Sequence, residues 1–214
     1  MNDAIADKIH AELSKYPKRT YPKGQILIFQ DETPEYIFYI TKGRVRKYDV
    51  SYRGDEVIVN IFKPPAFFPM SEAVNHTPNR YFYKTETATE VHIVPNDAAL
   101  RFLKDNPDVM LDLLSRIYRG MDGLLGRLVH LMSASARSRL LYELLIEARR
   151  FGTKNDDGSL MLDITEIDLA ARAGMSRETV SREIKQIKAS GVLEMTSKGI
   201  VIKDLNRLEK EADG

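Results

Sequence analysis

Cysteine is absent from the 214-residue chain, and so is tryptophan. Without cysteine there are no disulfides, no thiolate-held iron–sulfur cluster, no thiol nucleophile and no Cys-based zinc site. No apolar run approaches the roughly 18–20 residues needed to span a bilayer, and the opening stretch MNDAIADKIHAELSK has no apolar core of a secretory signal. Charge of one sign is also missing: 32 Lys+Arg against 31 Asp+Glu leave +1, so the whole chain announces neither an acidic nor a basic partner. With 43% hydrophobic and 29% charged residues, what remains is a globular, cytoplasmic protein of one large or two modest domains.

The pattern changes near residue 107. Before it, β-branched and aromatic residues come in short runs: 25–29, 36–40, 45–50, 56–62, 81–85 and 90–94. Their spacing of about 8–12 residues, with turns at Lys42-Gly43, Arg53-Gly54 and Asn79, predicts an all-β sandwich or barrel. Helices are expected over 4–16, ended by Pro17, and over 96–105.

From Pro107 to about Met132 the period becomes helical. Met110, Leu114, Ile117, Met121, Leu124, Leu128 and Leu131 follow one another at alternating steps of four and three. That is a coiled-coil seam, because a 3.5-residue repeat keeps one stripe facing a partner helix; the alternative is a long helix packed on its own domain. Leu111, Leu113, Leu125 and Val129 flank the seam and are expected to cover the β domain. Gly120, Gly123 and Gly126 share one side of this helix, each costing about 1 kcal/mol relative to alanine. They mark either close packing or a helix kept marginal for switching. A small polar joint, 133–136, precedes an amphipathic helix over 137–151 with Leu140, Leu141, Leu144, Leu145 and Ala148 inward. The turn-rich stretch 152–159 reads as a loop or hairpin tip.

The stretch 162–204 carries the functional signal. Thr165, with Asp168 three residues on, fits a helix N-terminus. Gly174 fits a tight turn, and Ser176 caps a second helix with the apolar stripe Val180, Ile184 and Ile187. Helix, glycine-containing turn and helix make a helix-turn-helix, and 192–195 with 200–202 make a hairpin wing. Between Arg172 and Lys203, seven basic residues meet three acids, a net +4 that the neighbouring acids Asp156, Asp157, Asp163, Glu166 and Asp168 mask in the whole-chain sum. A basic face on this motif is the footprint of phosphate binding. Arg177, Glu178 and Arg182 lie on the first turns of the second helix. A guanidinium fork suits guanine, and a carboxylate accepts from cytosine N4. The bland alternative is a solvated helix face with a Glu178–Arg182 pair.

The sequence SRETVSR at 176–182 resembles the recognition helix of the cyclic-AMP receptor protein/FNR (CRP/FNR) family of transcription regulators. The resemblance extends to Lys23, Gly24, Gln25 and Gln30, to ITKGRV at 40–45, to Pro107-Asp108 and to the C-terminal winged helix. It implies an α+β fold: an N-terminal β-roll of double-stranded jelly-roll type (1–106), a long coiled-coil dimerisation helix with hinge (107–134) and a C-terminal winged helix-turn-helix (135–214). It also implies a homodimer on double-stranded DNA, working with RNA polymerase, in which Arg177, Glu178 and Arg182 read a TGTGA-like half-site. Thr165, Ser176, Thr179, Lys185 and Lys198 match positions at phosphates or the groove edge.

The effector region departs from the family. Phe68-Pro69 stands where cyclic-AMP-binding members have Gly-Glu, Asn79-Arg80 where they have Arg-Ser, and Leu124 and Leu125 where polar residues meet adenine. Cyclic-nucleotide control is therefore not expected. The oxygen-sensing branch is excluded by the lack of cysteine, and a haem-sensing branch would have only His76 to offer as ligand. Arg80, Asn79, His76 and Glu72, with Leu124 and Leu125, are candidates for an unidentified small-molecule effector; the alternative is a pocket filled by Phe67, Phe68, Met70 and the leucines. No cofactor, metal or membrane partner is expected. Two other classes compete with the regulator: a cupin-like metalloenzyme, for which His10, His76, His92 and His130 lack the spacing, and a ligand-binding scaffold that never touches DNA.

Overall fold

The computed structural model describes residues 3–52, 54–133 and 135–213. Arg53 of the expected Arg53-Gly54 turn and Ala134 of the expected joint lie outside the described residues. The chain divides into two compact units, 1–119 and 120–214.

The first unit opens with α1 (Asp3–Leu13), which turns Ile9 and Leu13 inward. The roll that follows consists of β1 (Lys18–Tyr21), β2 (Ile26–Ile28), β3 (Tyr36–Lys42), β4 (Val45–Val50), β5 (Glu56–Phe62), β6 (Ala66–Phe68), β7 (Phe82–Thr85) and β8 (Thr89–Pro95), with α2 (Met70–Asn75) inserted after β6 and α3 (Asn96–Asp105) after β8. Two four-stranded sheets, β1-β8-β3-β6 and β2-β7-β4-β5, make the double layer expected of a jelly roll. Register is fixed by residues that must be dry: Ile37 faces Val94 and Ile40 faces Val91 across β3 and β8, and all four are fully buried. The turn between β3 and β4 needs Gly43, whose φ is +89°. A side chain there would also run into the Ala88 carbonyl. The roll interior is filled by aromatic rings, with Phe68 parallel to Tyr83 at 5.0 Å and in contact with Phe38 and Phe62.

The long helix α4 (Pro107–Ser133) begins in this unit, where Val109 and Leu113 join the core formed by α1, α3 and the outer sheet. Arg116 lies over the Phe67 ring and donates to the Pro65 carbonyl. Of the four flanking residues expected to cover the roll, only Leu113 packs against that core. Leu111, Leu125 and Val129 are 56–66% exposed, because a helix turning 100° per residue carries them away from the face that Val109 and Leu113 use.

The second unit takes the end of α4 and adds α5 (Ala136–Phe151), β9 (Thr153–Lys154), β10 (Leu160–Leu162), α6 (Glu166–Ala173), α7 (Arg177–Ala189), β11 (Leu193–Thr196), β12 (Gly199–Ile202) and α8 (Leu205–Asp213). Leu140, Leu141, Leu144, Leu145 and Ala148 of α5 are buried as the sequence pattern predicts. They meet Leu169, Val180, Ile184, Ile187 and Ile200 in one core. The strands form a sheet in the order β11-β12-β10-β9. Among the described residues no helix is long and apolar enough to cross a membrane.

Candidate nucleic-acid interface

Two hydroxyl caps and one glycine build the helix-turn-helix. The Thr165 hydroxyl accepts from the Asp168 N–H at 3.2 Å and starts α6. Gly174 ends α6 at φ 61°, the left-handed conformation that glycine adopts without strain. The Ser176 hydroxyl then accepts from the Thr179 N–H at 3.2 Å and starts α7. Val180, Ile184 and Ile187 anchor α7 in the core, which leaves its opposite face to solvent.

That outer face carries Arg177, Glu178, Arg182 and Lys185, all exposed or nearly so. Glu178 is held ionised below the usual carboxylate range by its own backbone N–H and by the Ser176 hydroxyl. A negative group in the first turn is also favoured by the helix dipole. Arg182 turns away from Glu178: its Nε sits 3.3 Å from a Glu183 oxygen and its side chain stays 63% exposed, so the Glu178–Arg182 pair of the bland reading does not form. Thr165 and Ser176 lie at the surface, and Thr179 is half-buried with its hydroxyl 3.1 Å from that of Ser176. Lys198 is exposed on the β11–β12 turn, where the Thr196 hydroxyl binds both the Lys198 N–H and the Gly199 carbonyl and holds the wing tip in shape.

The seam residues of α4 are open to solvent in the single chain. Met110, Leu114, Ile117, Met121, Leu124, Leu128 and Leu131 are each 42–51% exposed. Of the three helix glycines, Gly120 and Gly123 face open space, whereas a side chain at Gly126 would run into the Tyr142 hydroxyl. Close approach of α5 therefore explains the last of them.

The effector candidates scatter. Asn79 is fully buried: its amide donates to the Phe29 and Tyr81 carbonyls and its oxygen accepts from the Tyr81 N–H, so the side chain is spent on closing a turn. Arg80 and His76 are exposed. Glu72, buried at the base of α2, faces Lys47 at 3.6 Å and accepts from the Ser71 hydroxyl. Leu124 and Leu125 are both exposed. Sequence reasoning missed Lys47, which lies over the Tyr81 and Tyr83 rings; burial depresses its ammonium, partly offset by Glu72. An isolated lysine in an alternating strand gives no signal of such a role. Among the described residues no group of three or more His, Asp or Glu is placed to hold a metal ion.

Comparison with known proteins points the same way. Residues 18–106 match the cyclic nucleotide-binding domain family, and residues 138–211 match the Crp-like helix-turn-helix domain family. The chain is 27% identical over 196 residues to the CRP-like cAMP-activated global transcriptional regulator of Mycobacterium tuberculosis, covering 90% of this chain and 86% of that protein. It is 25% identical to the global nitrogen regulator of Synechocystis, covering 93% and 90%. Among solved structures, a CooA mutant from Carboxydothermus hydrogenoformans shares the fold with a TM-score of 0.79 at 24% identity, covering 94% of this chain and 89% of that one. A CRP/FNR-family transcriptional regulator from Thermus thermophilus does so with a TM-score of 0.75 at 20% identity, covering 92% and 99%. A capped helix-turn-helix with a basic outer face and a wing, preceded by a jelly roll and a long helix, thus has matching relatives along nearly its whole length, and the chain belongs to the CRP/FNR family of DNA-binding transcription regulators.

Proposed function

We propose that the protein acts in the cytoplasm as a homodimer that reads a palindromic site with TGTGA-like half-sites and acts on RNA polymerase. The observation that carries this reading is the trio on the first turns of α7: two solvent-facing guanidinium groups and one ionised carboxylate, on a helix fixed by the Ser176 cap. In this reading Arg177 and Arg182 donate to guanine O6 and N7 and Glu178 accepts from cytosine N4. Thr165, Ser176, Thr179, Lys185 and Lys198 hold phosphates or the groove edge, which positions the helix without reading sequence.

Dimerisation is supported by the exposed apolar seam of α4. A continuous stripe of seven large side chains, each about half exposed, is costly in water and fits knobs-into-holes pairing with a second copy. A dimer presents two copies of α7 to half-sites one helical turn apart, about 34 Å. In this scheme 1–106 is a sensor-like roll, 107–134 the dimerisation helix and hinge, and 135–214 the DNA-binding domain.

Control is exerted by an unidentified small molecule or is absent, with Glu72, Arg80 and His76 as the roll's polar candidates once Asn79 is given to its turn. The aromatic filling of the roll and the turn-closing role of Asn79 support ligand-independent action. Selection of bound sequences from random DNA, with and without a metabolite extract, tests the proposal. Enrichment of a two-fold TGTGA-like motif is expected. Enrichment of nothing, or of a site without two-fold symmetry, overturns it.

A further inference from the structure

A cluster of buried charges in the second unit lies apart from the residues assigned to DNA. Arg127 of α4 makes a bidentate pair with Glu143 of α5, at 2.6 and 3.0 Å. Arg172 of α6 pairs with Glu147 of α5, and both partners are at most 6% exposed. Arg150 lies among them, its guanidinium depressed first by burial and then by the nearby charge of Arg127. Burial likewise pushes the Glu143 carboxyl up, against the pull of Arg127. Arg139 adds a fourth guanidinium, with a buried Nε that has no hydrogen-bond partner. Four arginines thus gather around two carboxylates.

Three of these arginines line a cavity of about 30 Å³, partly open to solvent, whose wall also includes Glu143, Tyr142 and His130 and the apolar Leu131 and Ala173. Arg127 and Arg172 are already paired with Glu143 and Glu147, so the positive charge left over at the cavity is that of Arg139. A single water position takes about 10–15 Å³, so the space accommodates two or three oxygens. Excess positive charge in a low-dielectric setting calls for a counter-charge, and guanidinium forks match planar and tetrahedral oxyanions in particular.

We propose that this cavity binds an oxyanion headgroup, a free phosphate or the phosphate of a small monoester, that bridges the end of the long helix to the helix-turn-helix. Two or three of its oxygens occupy the cavity and accept from Arg139, Arg127 and Arg172, and the remaining atoms face its opening. Because those donors come from α4, α5 and α6, occupancy stiffens the joint through which the long helix meets the DNA-binding helices. The site is separate from the outer face of α7 and goes beyond the DNA-reading assignment.

The test uses the full-length protein without DNA. Isothermal titration with sodium phosphate, against sodium chloride at matched ionic strength, should show saturable binding of one phosphate per chain and none of chloride. Arg139→Gln should weaken phosphate binding by at least about tenfold, as expected for the loss of one charge-assisted contact. Arg139→Lys, which keeps the charge but not the fork, should fall between, and it serves as the readout should the glutamine variant fail to fold. Arg182→Ala, on the DNA-facing helix, should bind phosphate like the wild type. Glycerol 3-phosphate separates the sources: equal binding supports a site for the headgroup alone, and tighter binding supports one that also takes the monoester's body. Absence of saturation, equal response to chloride, phosphate binding untouched in both Arg139 variants, or its loss in Arg182→Ala overturns the proposal. A failed DNA selection with intact phosphate binding would overturn the DNA reading and leave this site standing.

Discussion

Lys198 and Arg177 should fail in different ways when replaced by alanine, and the difference is calculable. Lys198 stands exposed at a wing tip held by Thr196, and in the proposed reading its lone ammonium meets phosphate rather than base edges. Lys198→Ala removes one phosphate contact per half-site, two per dimer. Counterion release contributes about −0.9 per phosphate to the slope of log affinity against log salt, so the slope should become shallower by about 1.8. Between about 50 and 200 mM salt, a fourfold change, the wild type should then lose roughly tenfold more affinity than the variant, on specific and random DNA alike. Arg177→Ala instead deletes a base-reading fork, worth about 1–3 kcal/mol per half-site. The dimer should lose about thirtyfold or more on its preferred site and little on random DNA. Fluorescence anisotropy with a specific and a scrambled duplex over four salt concentrations resolves both effects. Equal losses by Arg177→Ala on the two duplexes, or an unchanged salt slope in Lys198→Ala, would refute the assignment of roles.

The remaining expectations concern the dimer, the long helix and the buried ion pairs. Leu124→Asp with Leu128→Asp puts charges into a seam whose residues are half exposed in the single chain; the dimer dissociation constant should rise by at least about a hundredfold in sedimentation experiments. Gly123→Ala should stabilise by up to about 1 kcal/mol in urea denaturation, since open space surrounds it. Gly126→Ala should gain nothing, because the displaced Tyr142 ring also packs on His130 at 4.1 Å. Glu143→Ala leaves Arg127 buried without its bidentate partner and should cost about 3–5 kcal/mol by the same measurement. For Glu178 the sign follows from its depressed value: the charged form is favoured in the fold, so its contribution is complete above the ordinary carboxylate range and is lost only as pH falls through the lower, folded value. The ratio of specific to random binding should therefore stay level from about pH 7.5 to about pH 5, and a decline within that window measured by anisotropy contradicts it.

Local signals were legible wherever a short stretch specifies its own geometry. Thr165, Gly174 and Ser176 announce their helix ends because a hydroxyl cap and a left-handed glycine act over three or four residues. The strands over 45–50 and 56–62 were readable from their β-branched and aromatic residues between turns. Shorter elements were not: β1, β6 and α2 have three to six residues, too few for a period to emerge, and they exist because a neighbouring strand or core receives them; the hairpin tip read over 152–159 is flanked by the paired β9 and β10. The α8 helix was missed as well, although Leu208 and Ala212 are buried against the second core; a charge-rich nine-residue segment reads as a tail until its two anchors are known.

The amino-acid order alone thus determined the family and the helix that carries Arg177, Glu178 and Arg182, since caps, stripes and motifs are properties of neighbours along the chain. Only the tertiary structure decided which polar groups are consumed in folding. Asn79 looked like a ligand contact and proved to be a turn clamp, Gly126 proved to make room for Tyr142, and Arg127, Arg139 and Arg172 converge from three helices on one cavity. Such convergence depends on distances between residues far apart in sequence, and no local pattern encodes them.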